Sequence, residues 1–333
     1  MDQYRKIMIV VDPSMKRTTA FDRGVKLAKK TGATLQLLLT DYNPALFRAR
    51  FLDRELLTKA VRGFLSVRRR WLNDEVKKLR EEGISAGALA AWHKPAHEEI
   101  TRQALEQGPD IVIKDVEKTG RLSRAVFTPA DWNLMRLCPA PLMLVNSHSS
   151  SYPQRILAAV DPFDTHDKPS DLNEIVLKAA LDMAYQCDAP VHVVHAYQYL
   201  PTAAPMGAET AFADAKLFEQ VREDHRNEFL AFGKSHGIPE DRMHLVEGEP
   251  AAVISDLAED INADLVVLGT VQRRGLKRVL MGSTAEDILG TINNDVLVLK
   301  PDDFRDALRE ELAELSRDSR FPEPWQDFRR FSL

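Results

Sequence analysis

Short apolar runs alternate with longer amphipathic stretches along nearly the whole chain. The run Ile7–Asp12 is continuous and rich in isoleucine and valine, which is typical of a parallel strand buried on both faces. In longer stretches such as Asp53–Glu82, apolar residues recur at helical spacing. The alternation of these two patterns predicts an α/β fold with parallel sheets and helical crossovers.

The first half of the chain predicts five strands and the helices that connect them. The strands are expected at Ile7–Asp12, Leu35–Leu39, Ala86–Trp92, Asp110–Lys114 and Leu142–Val145. The helices are expected from Thr18 or Thr19 to Lys30, and at Asp53–Glu82, Ala96–Gln107 and Ala130–Leu137. Gly32 is a natural end for the first helix.

The second half restarts the same pattern. Its strands are expected at Ile156–Asp161, Val191–Ala196, His244–Glu247, Asp264–Leu268 and Val296–Leu299. Its helices are expected at Leu172–Gln186, Ala213–Phe232, Ala251–Ile261 and from about Ala285. The first strand returns 149 residues later, and the fourth and fifth return 154 residues later. This repeat predicts two copies of one five-stranded α/β unit, with ligands at the carboxyl ends of the strands.

The repeat also sets the expected boundaries of the domains. We expect a first domain over residues 1–147, a polar linker over 148–154 and a second domain over 155–301. Residues 302–333 follow the repeat and should form a helix and an aromatic tail. That tail is expected to dock on the protein itself or on a second chain.

Composition places the chain among soluble globular proteins. Its 333 residues are 44% hydrophobic and 29% charged, and no apolar run approaches the roughly 20 residues of a membrane span. The net charge of −5, with both signs mixed, argues against general nucleic-acid binding. Cys138 and Cys187 lie in apolar surroundings and are expected to be buried thiols of a reducing compartment. A cytosolic protein without membrane or nucleic-acid partners is expected.

Two pairs of histidines are candidate metal ligands. His93 and His97 could share an ion with Asp12 or with a partner carboxylate, although a buried or capping histidine is the more frequent arrangement. His192 and His195 are three apart on a predicted strand, which puts them on opposite faces and prevents chelation of one ion. No metal site is therefore expected.

The stretch Asp264–Lys300 carries a candidate anion site. A strand ends near Gly269, and Gly282 precedes the last helix. Between them lies a basic loop that contains Arg273, Arg274, Lys277 and Arg278. Ser283 or Thr284 is expected to cap the helix, whose free N–H groups and positive end suit a phosphate. The same glycines are also ordinary punctuation in α/β proteins, so a structural role stays open.

Three phrases of the sequence carry a family resemblance. They are WHKPAHEEI at Trp92–Ile100, FTPADWNLMRLCP at Phe127–Pro139 and LGTVQRRGLKRVLMGSTAEDIL at Leu268–Leu289. Together they resemble the universal stress protein family in its tandem form, over about residues 4–301. The resemblance implies two Rossmann-like domains of the adenine nucleotide alpha hydrolase type.

The resemblance also implies a nucleotide site in the second domain. Nucleotide-binding members carry Gly-x-x-Gly, nine residues and then Gly-Ser or Gly-Thr, wrapped around the phosphates of ATP. The implied contact residues are Val160, Asp161, Ala196, Gly269, Thr270, Gln272, Gly282, Ser283 and Thr284. Gln272 stands where the second glycine is expected, and its side chain obstructs backbone approach to a phosphate. ATP, with Mg, is thus a candidate ligand whose binding depends on Gln272.

The first copy departs further from that motif. Gly120 stands alone, and Thr128-Pro129 replaces the pair of glycine and hydroxyl residues. A proline there removes an N–H donor. We expect the first domain not to bind ATP in the family manner.

The function implied is ligand sensing rather than turnover. No set of nucleophile, base and orienting group is present, so an enzyme is not expected, although slow ATP hydrolysis stays open. The resemblance implies a stress-response protein that binds an adenine nucleotide and then a protein partner. The alternative is a partner-binding scaffold that holds another ligand or none. An intrachain pseudo-dimer is also implied, with Leu142–Val145 against Val296–Leu299, and a homodimer stays open.

Overall fold

The protein folds as two compact units. The computed structural model describes residues 4–48, 53–116, 127–146, 152–163, 171–198, 215–270 and 282–310. One unit comprises residues 1–152 with 295–333, and the other comprises residues 153–294. Gly120, Gln272, the basic loop, most of the expected linker and the aromatic tail from residue 311 lie outside the described residues.

The elements of the first unit follow the predicted order. Its strands are β1 (Lys6–Val10), β2 (Thr34–Asp41), β3 (Ala86–Trp92), β4 (Ile111–Asp115), β5 (Leu142–Val145) and β10 (Asp295–Leu299). Its helices are α1 (Thr19–Thr31), α2 (Pro44–Arg48), α3 (Arg54–Glu81), α4 (Ala96–Gln107) and α5 (Pro129–Leu137). Residues 304–310 are also helical, and α2 was not predicted.

The second unit repeats this order. Its strands are β6 (Ile156–Ala159), β7 (Val191–Tyr197), β8 (Met243–Glu247) and β9 (Leu265–Gly269). Its helices are α6 (Leu172–Cys187), α7 (Ala215–Ser235), α8 (Pro250–Asp260) and α9 (Ser283–Thr291), with a short 3-10 turn at Glu240–Arg242. Among the described residues, none of these helices has the length and apolar character needed to cross a bilayer.

The sheet of the first unit has the order β3-β2-β1-β4-β5-β10. β1 to β5 pair in parallel, as predicted. β10 runs antiparallel to β5, with Val296 opposite Leu144 and Val298 opposite Leu142. This pairing confirms that the last strands of the two copies meet. The final strand of the second copy therefore belongs to the first unit.

The sheet of the second unit is parallel and has the order β9-β6-β7-β8. Because its strands point the same way, their carboxyl ends share one edge. The segments that follow β6, β7 and β9 therefore converge there. This is the edge at which the sequence places Asp161, Ala196 and Gly269.

Candidate functional site

A cavity of about 240 Å³ opens at this edge of the second unit. It brings together most of the residues expected to contact a nucleotide, namely Val160, Asp161, Ala196, Gly269, Gly282, Ser283 and Thr284. Its apolar wall includes Leu172, Val176, Ile254 and Leu268. Thr270 is buried and does not line the cavity, and Gln272 lies outside the described residues.

Asp161 is held at the mouth of the cavity by its backbone. β6 ends at Ala159, so Asp161 follows the strand rather than ending it as predicted. Its N–H donates to Asn173 Oδ1 at 2.9 Å, and Asn173 Nδ2 donates to its carbonyl at 2.7 Å. These two bonds fix the chain direction, while 38% of the Asp161 side chain stays exposed. Asn173 was missed from the sequence, since an amide on a helix carries no signal of this contact.

Gly269 has a packing reason to be glycine. A Cβ atom at this position would lie 2.7–2.8 Å from three carbon atoms of the Leu172 side chain, which is too close without movement of that side chain. The same absence of a side chain keeps the end of β9 open to the cavity. Gly269 therefore fits both the structural and the ligand-binding hypothesis.

Among the residues that the structure describes, no side chain caps the amino end of α9. Gly282 occupies the capping position with φ −60°, and Ser283 and Thr284 are the first two residues of the helix. The prediction that Ser283 or Thr284 caps the helix was wrong, because the helix begins two residues earlier than Ala285. The N–H groups of this first turn have no intrahelical acceptors, and the helix dipole gives them a positive potential. They border the cavity beside two exposed hydroxyl residues.

Behind the cavity, aromatic and histidine rings support the strand ends. His195 is buried, with Nδ1 3.3 Å from the Val160 carbonyl oxygen and Nε2 3.1 Å from His225 Nδ1. Phe163 stacks on the His225 ring at a centroid distance of 3.9 Å. Burial lowers the pKa of His225. His225 itself is half-buried.

The other candidate metal ligands do not assemble into a metal site. His93 Nε2 lies 3.0 Å from Glu98 Oε2, while the Nδ1 atom of His97 is buried without a hydrogen-bond partner in the described parts of the chain. Within those parts, no three His, Cys, Asp or Glu side chains lie close enough to share an ion. Cys138 is buried as expected, but Cys187 is only half-buried.

His192 forms a separate pair with a histidine of β8. Its Nδ1 atom lies 2.9 Å from His244 Nε2, and the two rings stack at 5.2 Å. Burial, and then the charge of His244, lowers the pKa of His192, and burial also lowers that of His244. Both imidazoles are therefore neutral in the folded protein under conditions where an exposed histidine would begin to bind a proton.

This histidine pair should make stability depend on pH. Unfolding returns both groups to an ordinary pKa near 6.5, so below that pH the unfolded chain binds more protons than the folded chain. The free energy of unfolding is expected to fall between about pH 7 and pH 5.5. Urea unfolding at several pH values checks this, and His244→Gln should fall less steeply than the parent. Equal slopes in the two proteins would rule out the pair as the cause.

The equivalent helix of the first unit is closed by its own residues. Thr128 caps α5, with Pro129 at the first helical position. Asp131 folds back so that its Oδ2 accepts from the backbone N–H and the hydroxyl of Thr128, both at 2.9 Å. Lys114 Nζ contacts the other oxygen, Oδ1, at 2.9 Å. A carboxylate of the protein thus occupies the positive end of α5, whereas no described carboxylate caps α9.

Comparison with known proteins identifies the family. The model of the Universal stress protein family matches residues 3–146 and 153–300. The chain belongs to the universal stress protein family. The tandem architecture predicted from the sequence is thereby confirmed.

Two relatives align with this chain over nearly their whole length. The chain is 30% identical to Universal stress protein E of Escherichia coli K12 over 307 residues, which cover 92% of this chain and 96% of that protein. It is 27% identical to Universal stress protein E of Photorhabdus laumondii over 306 residues, covering 91% and 97% of the two chains.

Solved structures agree with the fold. A functionally unknown protein from Pseudomonas aeruginosa PAO1 matches with a TM-score of 0.74 and 29% identity, covering 93% of this chain and 98% of that chain. A universal stress protein from Archaeoglobus fulgidus matches with a TM-score of 0.61 and 17% identity, covering 90% and 99% of the two chains. The second match supports the fold alone.

Proposed function

We propose that the second unit binds an adenine nucleotide, and that this universal stress protein acts in the cytosol by offering a ligand-dependent surface to a protein partner. The observation that carries the proposal is the amino end of α9, which no described side chain caps, beside Asp161 and Gly269 in one cavity. An anion there would accept hydrogen bonds from the free N–H groups of the first helical turn, in a favourable helix field. The matching end of α5 is closed by Asp131, so the proposal concerns the second unit only.

Different parts of the cavity suit different parts of a nucleotide. The carboxylate of Asp161 can accept hydrogen bonds from ribose hydroxyls, while Val176, Ile254 and Leu268 offer an apolar wall to a base. At about 240 Å³ the cavity is smaller than the roughly 300–1,000 Å³ of typical ligand pockets. It would enclose the nucleoside, and the phosphates would extend along the exposed Ser283 and Thr284, with Mg as their counter-ion.

Calorimetric titration of ATP with Mg²⁺ into the full chain tests this proposal. We expect Asp161→Asn to weaken binding about tenfold, because a charge-assisted hydrogen bond to the ligand contributes roughly 1.4 kcal/mol or more. Asp12→Asn, the same substitution at the equivalent position of the first copy, is the matched control and should leave the affinity unchanged. Gln272→Gly should strengthen binding, as the family motif implies.

The proposal fails if neither the parent nor Gln272→Gly produces heat at millimolar ATP. It also fails if Asp12→Asn weakens binding as much as Asp161→Asn does. A phosphate-release assay on the same samples separates binding from slow hydrolysis, which the proposed sensing function does not require.

The packing of Gly269 against Leu172 favours a second candidate, a scaffold protein that does not bind ATP. In that case residue 269 is a glycine because Leu172 packs against it, and not because a phosphate approaches its backbone. Partner capture would then be independent of ATP and would depend on the tail. Deletion of residues 311–333 tests this without disturbing Phe304 and Leu308, which are buried. Unchanged capture and oligomeric state after the deletion would count against the scaffold.

A further inference from the structure

The helix α3 of the first unit carries apolar side chains on two opposite faces. On its inner face, Leu57, Val61 and Leu65 are buried. On its outer face, Leu56 is 54% exposed and Val67 is 41% exposed. Exposed apolar side chains that recur on one face of a helix are typical of an interaction surface. The outer face of α3 is therefore a candidate surface for a partner.

The residues of this outer face follow the spacing of a coiled-coil seam. Alternating steps of three and four residues keep one stripe of a helix turned toward a partner helix over several turns. The four central positions are apolar or small, and the two end positions carry opposite charges. These six residues form the outer stripe of α3, which comprises Asp53, Leu56, Ala60, Gly63, Val67 and Arg70.

Gly63 has no packing reason to be glycine within the described part of the chain. It lies in the interior of a 28-residue helix, where glycine is less favourable than alanine. A Cβ atom at this position would meet no atom within 4 Å. A glycine in a helix does permit close approach by another backbone. The exposed Gly63 thus points to the same unoccupied face as Leu56 and Val67.

The outer stripe is complementary to itself when two copies of α3 run antiparallel. With a two-fold axis between residues 61 and 62, Leu56 faces Val67 of the second copy, and Ala60 faces Gly63. Each contact occurs twice because of the symmetry. The larger side chains therefore fill the outer layers, and the small residues bring the helices close together at the centre.

The charges at the ends of the stripe favour this direction. The same register places Asp53 opposite Arg70 of the second copy at both ends. Both residues are exposed, and Arg70 has no ion-pair partner in the parts of the chain that the structure describes. A parallel pair would instead bring each charge against its own copy. Lys59, which flanks the stripe, comes beside Ser66 of the second copy and not beside another cation.

This charge complementarity identifies the occupant as a second copy of the chain. We propose that the protein forms a homodimer in which the outer stripe of α3 pairs antiparallel with the same stripe of another copy. One such pair of helices buries less than the roughly 1,200–2,000 Å² of stable complexes, so the dimer dissociates on dilution. Because α3 belongs to the first unit, the dimer does not depend on the proposed nucleotide site.

Sedimentation velocity of the full chain, from micromolar to millimolar concentration, tests the dimer and its register. Leu56→Glu and Val67→Lys should each weaken self-association about tenfold or more, because each places a charge against an apolar side chain. An equimolar mixture of the two variants should associate like the parent. In that mixture the antiparallel register pairs the introduced carboxylate with the introduced ammonium and keeps one contact between leucine and valine. A parallel register would restore neither contact.

The control is Tyr185→Lys, at an apolar side chain of the second unit that is 59% exposed. It should leave the sedimentation coefficient unchanged. All three substitutions lie at exposed positions, so the urea midpoints should stay close to that of the parent. A mixture that associates no better than either variant alone would overturn the proposal. A parent that stays monomeric at millimolar concentration would also overturn it, and binding of that monomer to phosphatidylglycerol vesicles would assign the stripe to a membrane surface instead.

Discussion

Replacing Asp295 by alanine is expected to lower the free energy of unfolding by about 3–5 kcal/mol. The Asp295 carboxylate forms an ion pair with Arg23, and the two side chains are 0% and 2% exposed. Its other oxygen accepts from the Asn146 N–H at 2.7 Å. The alanine variant removes the carboxylate that faces the buried Arg23 guanidinium and the acceptor of a backbone N–H beside β5. Urea unfolding followed by circular dichroism measures the loss.

An exposed ion pair of the same chemistry provides the control. Arg309 lies 2.9 Å from Asp306, with side chains 58% and 77% exposed. Asp306→Ala should change stability by less than about 1 kcal/mol, because water solvates either partner alone. The double variant Arg23→Met, Asp295→Leu should recover much of the loss, since it removes both buried charges of the pair. A loss of less than about 1 kcal/mol in Asp295→Ala would contradict the buried pair.

Most of the fold could be predicted from local patterns. α4 and β3 have the predicted bounds, because each is a periodic run with a clear stop at both ends. α1 is capped by the Thr18 side chain and ends at Gly32 with φ 73°, a backbone conformation that glycine adopts without strain. These signals lie within a few residues of the elements that they set.

The site could be predicted only in part, because only signals that lie close in sequence to an element can be read from the sequence. Asp161 follows β6, and Ala196 and Gly269 lie at the carboxyl ends of β7 and β9, so a parallel sheet brings all three to one edge and the sequence suffices. The exact start of α9 could not be assigned, since Gly282, Ser283 and Thr284 are three adjacent residues that can all cap a helix. Partners on other elements, such as Asn173 for Asp161, leave no trace in local sequence.

The first copy shows what a missing motif can hide. The sequence shows Thr128-Pro129 in place of the pair of glycine and hydroxyl residues. The absence of that pair does not predict which contacts are made at the helix end instead. The residues Thr128 and Asp131 do carry the spacing of a capping box, which could have revealed the closure. The contact with Lys114, 17 residues earlier, needed the structure.

Removing Asp131 should destabilise the first unit by an amount similar to that for Asp295. Asp131 is 0% exposed and Lys114 10% exposed in the side chain, so Asp131→Ala leaves a buried ammonium unpaired at an expected loss of about 3–5 kcal/mol. Loss of the capping box adds about 1 kcal/mol. Glu81→Ala, at an exposed pair with Lys77, is the control and should stay within about 0.5 kcal/mol of the parent in urea unfolding.

A double-mutant cycle separates the ion pair from the cap. Lys114→Met with Asp131→Ala should be less destabilising than the sum of the single variants, because the second substitution removes the charge that the first leaves unpaired. What remains in the double variant is the loss of the cap. Additive losses would mean that Lys114 and Asp131 act independently. The double variant should still not bind ATP in the first unit, since Pro129 lacks an N–H and the carboxylate of Asp115 remains at the end of β4.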